Sequence, residues 1–595
     1  MAGSVAAAGD VLRAPPDQDA ARGAAAGRRL GFAHMRVRII AEERCSHPGG
    51  RAHASAAIWI LALGVFSGAV ASEPRAGTVP EPAPIGADSL LGRRVERVRV
   101  VTRTIYDPLP AGRFRALYRL ANKLHIPTRA GTIRQELLLG PGEPWDPARA
   151  DESARKLRAL QFIDTVSVRA RPESSGVAVD VMTRDAWSSG VDFGFQGGGG
   201  QRVGSAGFTE RNLLGLGKAL SVTYQDDGRE ISRSVWVEDP NVLGRRWRAS
   251  VSGARTTSGT VSAVWLGLPF YAEDAPQSFG VSWNRATGKA VRYQSGEQIA
   301  DFDQRIEDAL LWWTRGQRLG QTIVRFGGRL ELLDRRFGVS HLTSGSPRDF
   351  GGNEESLRLR LLAADLKLWR PRYVQRWQVE HLERTEDIDL GTSLDVGLGA
   401  FPRFLGSTAD QAYGALGLAV GGELSGSSFW WLRASASGRA RHAIEEAHSR
   451  VETRLVTQGL PRQTLVLGAL GDAAYGPARN QQFVVGGLNG LRGFDAQQIA
   501  GQQIWRLNLE DRVFLKRGLG QLVSLGSVAF VDAARSWGPG ADGVGWLSDA
   551  GVGLRVALAR QAVPRVARFD FAWPLNGALN SSPGVALSFG SAQAF

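Results

Sequence analysis

The stretch Trp505-Arg506-Leu507-Asn508-Leu509-Glu510 alternates large apolar residues with charged or amide ones. Period-two alternation marks a strand with unlike faces. It recurs across residues 187–595: Val191, Phe193 and Phe195 against Asp192, Gly194 and Gln196; Leu220, Val222 and Tyr224 against Ser221 and Thr223; Phe279, Val281 and Trp283 against Gly280, Ser282 and Asn284. In a soluble sandwich the apolar parity would face a core. In a membrane barrel it faces lipid, and the small or polar parity faces the lumen. The barrel fits better, because the polar parity is rich in Gly, Ser, Asn and charge and the aromatics are spread as interfacial girdles require. Roughly 400 residues at about 25 per strand and loop predict about 16 antiparallel strands. The fold class read here is an all-β transmembrane barrel over 187–595, preceded by one small α+β domain over 93–186.

Composition agrees. The 595 residues include 74 Gly, 17 Trp and a single Cys. After the first seventy or so residues, no segment approaches the unbroken apolar run of roughly 20 that a spanning helix needs. The net charge of +14 does not point to nucleic acid, since Lys and Arg are interspersed with Asp and Glu and form no dense basic run.

The N-terminal region predicts export. Ala56 to Val70 is an apolar core, Arg51 precedes it, and Ala69-Val70-Ala71 is a small-x-small pattern, so cleavage is expected after Ala71. Residues 1–71 are then a signal peptide with an N-terminal extension, and Met35 offers a second start. Cys45 falls within the removed segment, which would leave the mature chain without a thiol, disulfide or thiolate-bound metal. Residues 72–92 read as a Pro-rich linker.

Between linker and barrel, Val95 to Thr102 reads as a strand. Phe114, Leu117, Tyr118, Ala121 and Leu124 then repeat as one face of a helix. Asp146 followed by Pro147 starts another helix, carrying Ala150, Ala154, Leu157 and Leu160 on one side. Phe162 to Ala170 and Gly176 to Met182 alternate as two strands. This β-α-α-β-β order resembles a POTRA domain, with Arg113 to Ile126 as an additional helical insert. The resemblance rests on the run from Ile133 through Leu137-Leu138, Gly142-Glu143-Pro144-Trp145-Asp146, Ala154 to Leu160 with Phe162, and Val177 to Val181.

The sharpest local motif is Gly486-Gly487-Leu488-Asn489-Gly490-Leu491-Arg492-Gly493-Phe494. As chemistry alone it is a glycine-rich loop with one arginine, and it lacks the strand-before, helix-after setting of a phosphate loop. Leu491-Arg492-Gly493-Phe494 is similar to the (Val/Ile/Leu)-Arg-Gly-(Phe/Tyr) signature of the BamA/TamA outer-membrane assembly-factor superfamily, whose members include two-partner secretion transporters. Glu210 to Lys218 resembles that family's early-barrel Arg-Asn-Leu-x-Gly-x-Gly pattern. Phe530-Val531-Asp532-Ala533-Ala534 resembles its Phe-x-Asp-x-Gly strand, with Ala534 in place of glycine. The segments Gly551 to Arg555 and Phe569 to Leu575 also fit.

The resemblance implies that the motif loop folds into the barrel and that Arg492 meets acidic groups on the inner wall. By strand parity, Glu510 lies on the face of Arg506 and Asn508, and Asp532 on that of Phe530 and Val528, so either carboxylate or both are the expected partners. The terminal strand, with Phe589 and Phe595, resembles the aromatic insertion signal of barrel substrates, although Gln593 stands where another aromatic is usual.

The sequence contains no Gly-x-Ser-x-Gly elbow, His-Glu-x-x-His pair or Walker loop, and the spacing of His442, Glu445, Glu446 and His448 matches no common metal site. The reading is therefore a non-enzyme without cofactor or metal. The resemblance implies a factor that inserts or exports polypeptides at the bacterial outer membrane, with its POTRA domain in the periplasm. Its expected partners are unfolded outer-membrane or secreted polypeptides, the lipid bilayer, and periplasmic chaperones or accessory proteins. A dedicated secretion or lipid transporter, and a passive pore or surface antigen, stay open at this point.

Overall fold

A computed structural model describes residues 90–198, 201–343, 356–382, 384–476, 480–487, 489–519, 522–538, 541, 543–558, 560–561, 566–576 and 585–591. The expected signal peptide, most of the linker, Cys45, Leu488, Gln593 and Phe595 lie outside these residues.

The small domain is a three-stranded sheet with helices packed on it. Its elements are β1 (Val95–Arg103), α1 (Arg115–Leu124), α2 (Ala130–Glu136), α3 (Pro147–Ala159), β2 (Ile163–Pro172) and β3 (Val177–Asp185). The spatial order is β1-β3-β2, with β1 parallel and β2 antiparallel to the central β3. Helix α3 begins where the sequence places it: the Asp146 side chain accepts from the Ala148 N–H at 2.8 Å, and Pro147 occupies the first turn, where its missing N–H leaves no bond unmade. Ile133, Leu157, Ile163, Val177, Val179 and Val181 form the buried core. The apolar face read for α1 divides: Tyr118 is buried against Ile105 and Tyr106, whereas Leu117 and Leu124 are exposed.

From Ser189 onward the chain forms one closed antiparallel barrel. Among the described residues it contains 21 strands, one of them the two-residue His341–Leu342, rather than about 16. The expectation fell short because many connections are tight turns, such as Gly320-Gln321 and Gly426-Ser427, so the repeat is nearer to about 20 residues per strand and connection. The last described strand, Ala586–Ser591, closes the ring onto Ser189–Gly198.

Parity follows the sequence pattern. Trp505, Leu507 and Leu509 are exposed outward, while Asn508 and Glu510 are buried inward. A belt of exposed apolar residues, including Val222, Val251, Leu311, Leu416, Leu467, Val552 and Phe571, surrounds a lumen lined by Arg325, Arg329, Glu331, Asp472, Arg512 and Asp570. No helix among the described residues is long and apolar enough to cross a membrane. A closed sheet of this parity crosses with strands and leaves no open edge in lipid.

The small domain sits on one rim of the barrel, here called the near rim. In the turn Leu214-Gly215-Leu216-Gly217, the Gly215 oxygen accepts from Thr132 Oγ1 at 2.9 Å, and Asn212 Nδ2 donates to Thr128 Oγ1 at 2.8 Å. Gly215 has φ +74°, and a Cβ there would stand 2.4 Å from the Pro127 oxygen, so a bare backbone is required for this approach. Arg149 pairs with Asp274 at 2.9 Å and Arg155 with Glu273 at 2.8 Å, both across a neighbouring near-rim turn.

Candidate functional site

The motif loop connects the strands Gln463–Tyr475 and Gln503–Leu519 at the far rim and turns back into the lumen. A short ladder, Phe483–Val485 with Ile499–Gly501, forms its stem. The loop then tightens: the Gly486 N–H donates to Asn489 Oδ1 at 2.9 Å, Asn489 Nδ2 donates to the Val484 oxygen at 2.8 Å, and the Leu491 N–H returns to the Gly486 oxygen. Leu491 and Phe494 are buried with Val485, Ile499, Ile504, Ala534 and Leu547. Gly487 is buried and its N–H donates to the Asp495 oxygen.

This packing delivers Arg492 to the wall with no exposed surface. Its Nε and Nη2 donate to Asp532 Oδ2 and Oδ1 at 2.7 and 2.8 Å, and its Nη1 donates to Glu510 Oε1 at 2.8 Å. The guanidinium lies 3.3 Å from the Phe530 ring centroid, stacked on the aromatic face. Charge-assisted fork contacts are short and directional, so the pair fixes orientation as well as position. The neighbouring Gly493 N–H donates to Asp549 Oδ2 at 3.0 Å. The predicted residues Arg492, Glu510, Asp532 and Phe530 therefore meet at one place.

Five further groups complete the cluster. Asp549 faces Asp532 across adjacent strands. Asp570 lies 3.7 Å from Arg492 Nη1 and 2.5 Å from Arg555 Nη1, with Arg568 at 3.5 Å. Arg512 donates through Nε to Glu510 Oε2 at 2.7 Å. Inner parity would have placed all of these, but cross-strand register, which the sequence does not carry, decides which of the many inward charges meet.

A second element enters the lumen from the near rim. The segment between Ser356–Arg370 and Thr392–Phe401 is a hairpin of two strands, Tyr373–Trp377 and Thr385–Asp389. The hairpin packs inside the wall: Val379 near its tip and Leu390 at its base are buried with Phe429, Val456 and Val466, and Leu382 with Ala557 and Val566. The Val379 oxygen accepts from Arg512 Nη1 at 2.6 Å, and Glu380 pairs with Arg454. From the small domain, Arg158 grips Asp387 through two bonds of 2.7 and 2.8 Å. A continuous polar path thus runs from α3 through the hairpin and Arg512 to Glu510 and Arg492.

Glu446, from the His/Glu group considered for metal binding, is held by Arg335 at 3.0 Å and Arg439 at 3.1 Å, and Glu445 is held by Arg439 at 2.7 Å. The described Phe589 ring packs edge-on against Phe569, 5.5 Å between centroids.

Residues 413–595, which hold the motif loop, Glu510, Asp532 and the closing strands, match the model of the Omp85 superfamily domain. The chain carries an Omp85 domain. Solved structures with a similar course include CdiB from Acinetobacter baumannii, at 13% identity and TM-score 0.44, covering 84% of this chain and 74% of that one. BamA from Haemophilus ducreyi lacking POTRA domains 1-3 aligns at 13% identity and TM-score 0.37, covering 84% of each chain. BauA, the ferric preacinetobactin receptor from Acinetobacter baumannii, aligns at 12% identity and TM-score 0.35, covering 73% of this chain and 85% of that one. No curated protein matches the chain. The matched residues include Glu510 and Asp532, which hold Arg492, and Phe429, Val456, Val466, Ala557 and Val566, against which the lumenal hairpin packs.

Proposed function

We propose that this protein inserts or exports polypeptides at the outer membrane, and that its small domain is a periplasmic POTRA module that receives them. The observation that carries the reading is the motif loop of the Omp85 domain, folded into the lumen and tied by Arg492 to Asp532 and Glu510. These contacts brace the wall three and four strands from the closing strand Ala586–Ser591, which meets Ser189–Gly198 at the seam.

The closing strand pairs on one side with Val566–Pro574, from Ala567 with Ser591 to Ala572 with Ala586, and on the other closes the ring onto Ser189–Gly198. Opening the pairing of Ala586–Ser591 with Ser189–Gly198 frees main-chain groups to which an incoming strand adds. In the small domain, β2 lies at the edge of the sheet order and offers main-chain groups for β-augmentation by an unfolded segment. The chemistry needed is backbone pairing and burial of substrate in lipid, which draws on no bound cofactor or metal.

A photo-crosslinking residue at Thr165 on β2 and at Val191 in the first barrel strand tests this. Both positions should capture unfolded outer-membrane or secreted polypeptides during their biogenesis. Capture of none at either position would remove the polypeptide-handling reading in favour of a pore.

A further inference from the structure

Helix α1 is fastened to the rest of the small domain at its C-terminal end. Asn122 bridges the Tyr106 backbone, accepting from its N–H at 3.0 Å and donating to its oxygen at 2.9 Å. Just past the helix, buried His125 meets Asp185 at 2.8 Å, and the same carboxylate accepts from the Thr128 N–H. The docked side, Tyr118 with Phe114 and Ala121, packs beside Trp187, which immediately precedes the first barrel strand pair, and Leu522 in a near-rim turn. Arg560, in another near-rim turn, donates to the Ile105 oxygen at 2.6 Å.

With that side fixed, a second stripe is left bare. Leu117 and Leu120 are each 51% exposed, Leu124 is 63% and Ile126 is 52%. Spacing of three and four residues places the leucines along one side of the helix, away from the docked ring of Tyr118. Arg115, Arg119 and Lys123, all exposed, line another side, Arg113 precedes them, and the ten-residue helix contains no acid. An exposed apolar stripe flanked by cations is the pattern of a helix lying in a membrane interface. Its location agrees, because its docked side meets Trp187, just before the strand Ser189–Gly198 at the seam, and Leu522 in a near-rim turn, so the helix lies at the end of the barrel wall.

We infer that α1 is an interfacial anchor: Leu117, Leu120, Leu124 and Ile126 insert into the leaflet on the near side, and Arg115, Arg119 and Lys123 bind anionic phospholipid headgroups. This rests on the barrel lying in a bilayer and not on which polypeptide it handles. The anchor holds the small domain against the membrane next to the seam and orients the free edge of β2 relative to it.

The test uses the full chain with Cys45→Ser, reconstituted into phosphatidylcholine vesicles with or without phosphatidylglycerol. A polarity-sensitive fluorophore is placed at Leu120→Cys, at Leu124→Cys and, as a reference on the exposed side of α3, at Asp151→Cys. Nitroxide-labelled lipid should quench the α1 probes several-fold more than the Asp151 probe, and phosphatidylglycerol should increase that difference. The double variant Arg119→Glu, Lys123→Glu should lose the phosphatidylglycerol effect, with the barrel's heat-modifiable migration unchanged as the check on folding. Equal quenching at all three positions overturns the proposal. So does a Leu120 probe shielded only when an unfolded outer-membrane polypeptide is added, which would assign this face to substrate.

Discussion

Arg492 meets Asp532 through two parallel hydrogen bonds, Nε to Oδ2 at 2.7 Å and Nη2 to Oδ1 at 2.8 Å, and neither side chain has any exposed surface. The contact joins a far-rim loop to a wall strand by a fork that only a guanidinium supplies. Lysine, a point donor, cannot make both bonds.

Arg492→Ala is expected to leave the Asp532 carboxylate buried without its main partner, a loss on the order of 3 to 5 kcal/mol. Arg492→Lys should recover only part of it. The temperature at which the folded band disappears in heat-modified electrophoresis checks this. Equal temperatures for wild type and Arg492→Ala would mean that lumenal water replaces the pair.

Gly493→Ala places a Cβ 2.7 Å from the Asp549 Cβ and 3.1 Å from the Pro574 nitrogen. Wall and loop must separate, at about 1 to 3 kcal/mol for overpacking. Gly545→Ala, where a Cβ meets nothing within 4 Å, should be neutral under the same assay. Protease sensitivity of the motif loop in intact barrels would report the displacement, and resistance equal to wild type would count against the lodged loop.

Removing residues 379–382 of the hairpin tip is expected to open the near side of the lumen. Planar-bilayer recordings should show higher conductance than wild type, with a smaller rise for Arg158→Glu, which breaks only the grip on Asp387. Unchanged conductance after the deletion would show that the hairpin does not obstruct the channel.

The contact between small domain and barrel should depend on pH. Burial, then the nearby Glu273 carboxylate, push Glu152 up to about 7, against a hydrogen bond from the Glu273 N–H and the cation Arg155. Because the folded form holds its proton more tightly than the unfolded chain, this group favours the docked state at low pH. That advantage declines as the pH rises from the ordinary glutamate range through about 7. Amide exchange in α3, corrected for intrinsic rates, should therefore show less protection at pH 8 than at pH 6, and Glu152→Gln should flatten the difference. A pH-independent wild type would contradict it.

Much of this architecture was legible in the sequence because strand parity is local. Arg506, Asn508 and Glu510 against Trp505, Leu507 and Leu509 already separate lumen from lipid, and the wall carboxylates of Arg492 follow once the loop is taken to fold inward. What was not legible depends on register between distant strands. Asp570 stands in a quoted segment on the inner parity, yet its meeting with Arg492, Arg555 and Arg568 is set by pairing across the closing strands. The lumenal hairpin was hidden for the same reason, since Val379 and Glu380 find Arg512 and Arg454 more than seventy residues away. On α1 the apolar period was correct for a helix but silent on which half of it would dock.

The most direct test of polypeptide insertion or export through the Arg492-braced Omp85 domain is the outer-membrane and secreted proteome of cells depleted of this protein, measured beside cells carrying only Arg492→Ala. The account predicts that the same defined set of barrel or secreted proteins falls in both. A proteome unchanged on depletion would contradict it.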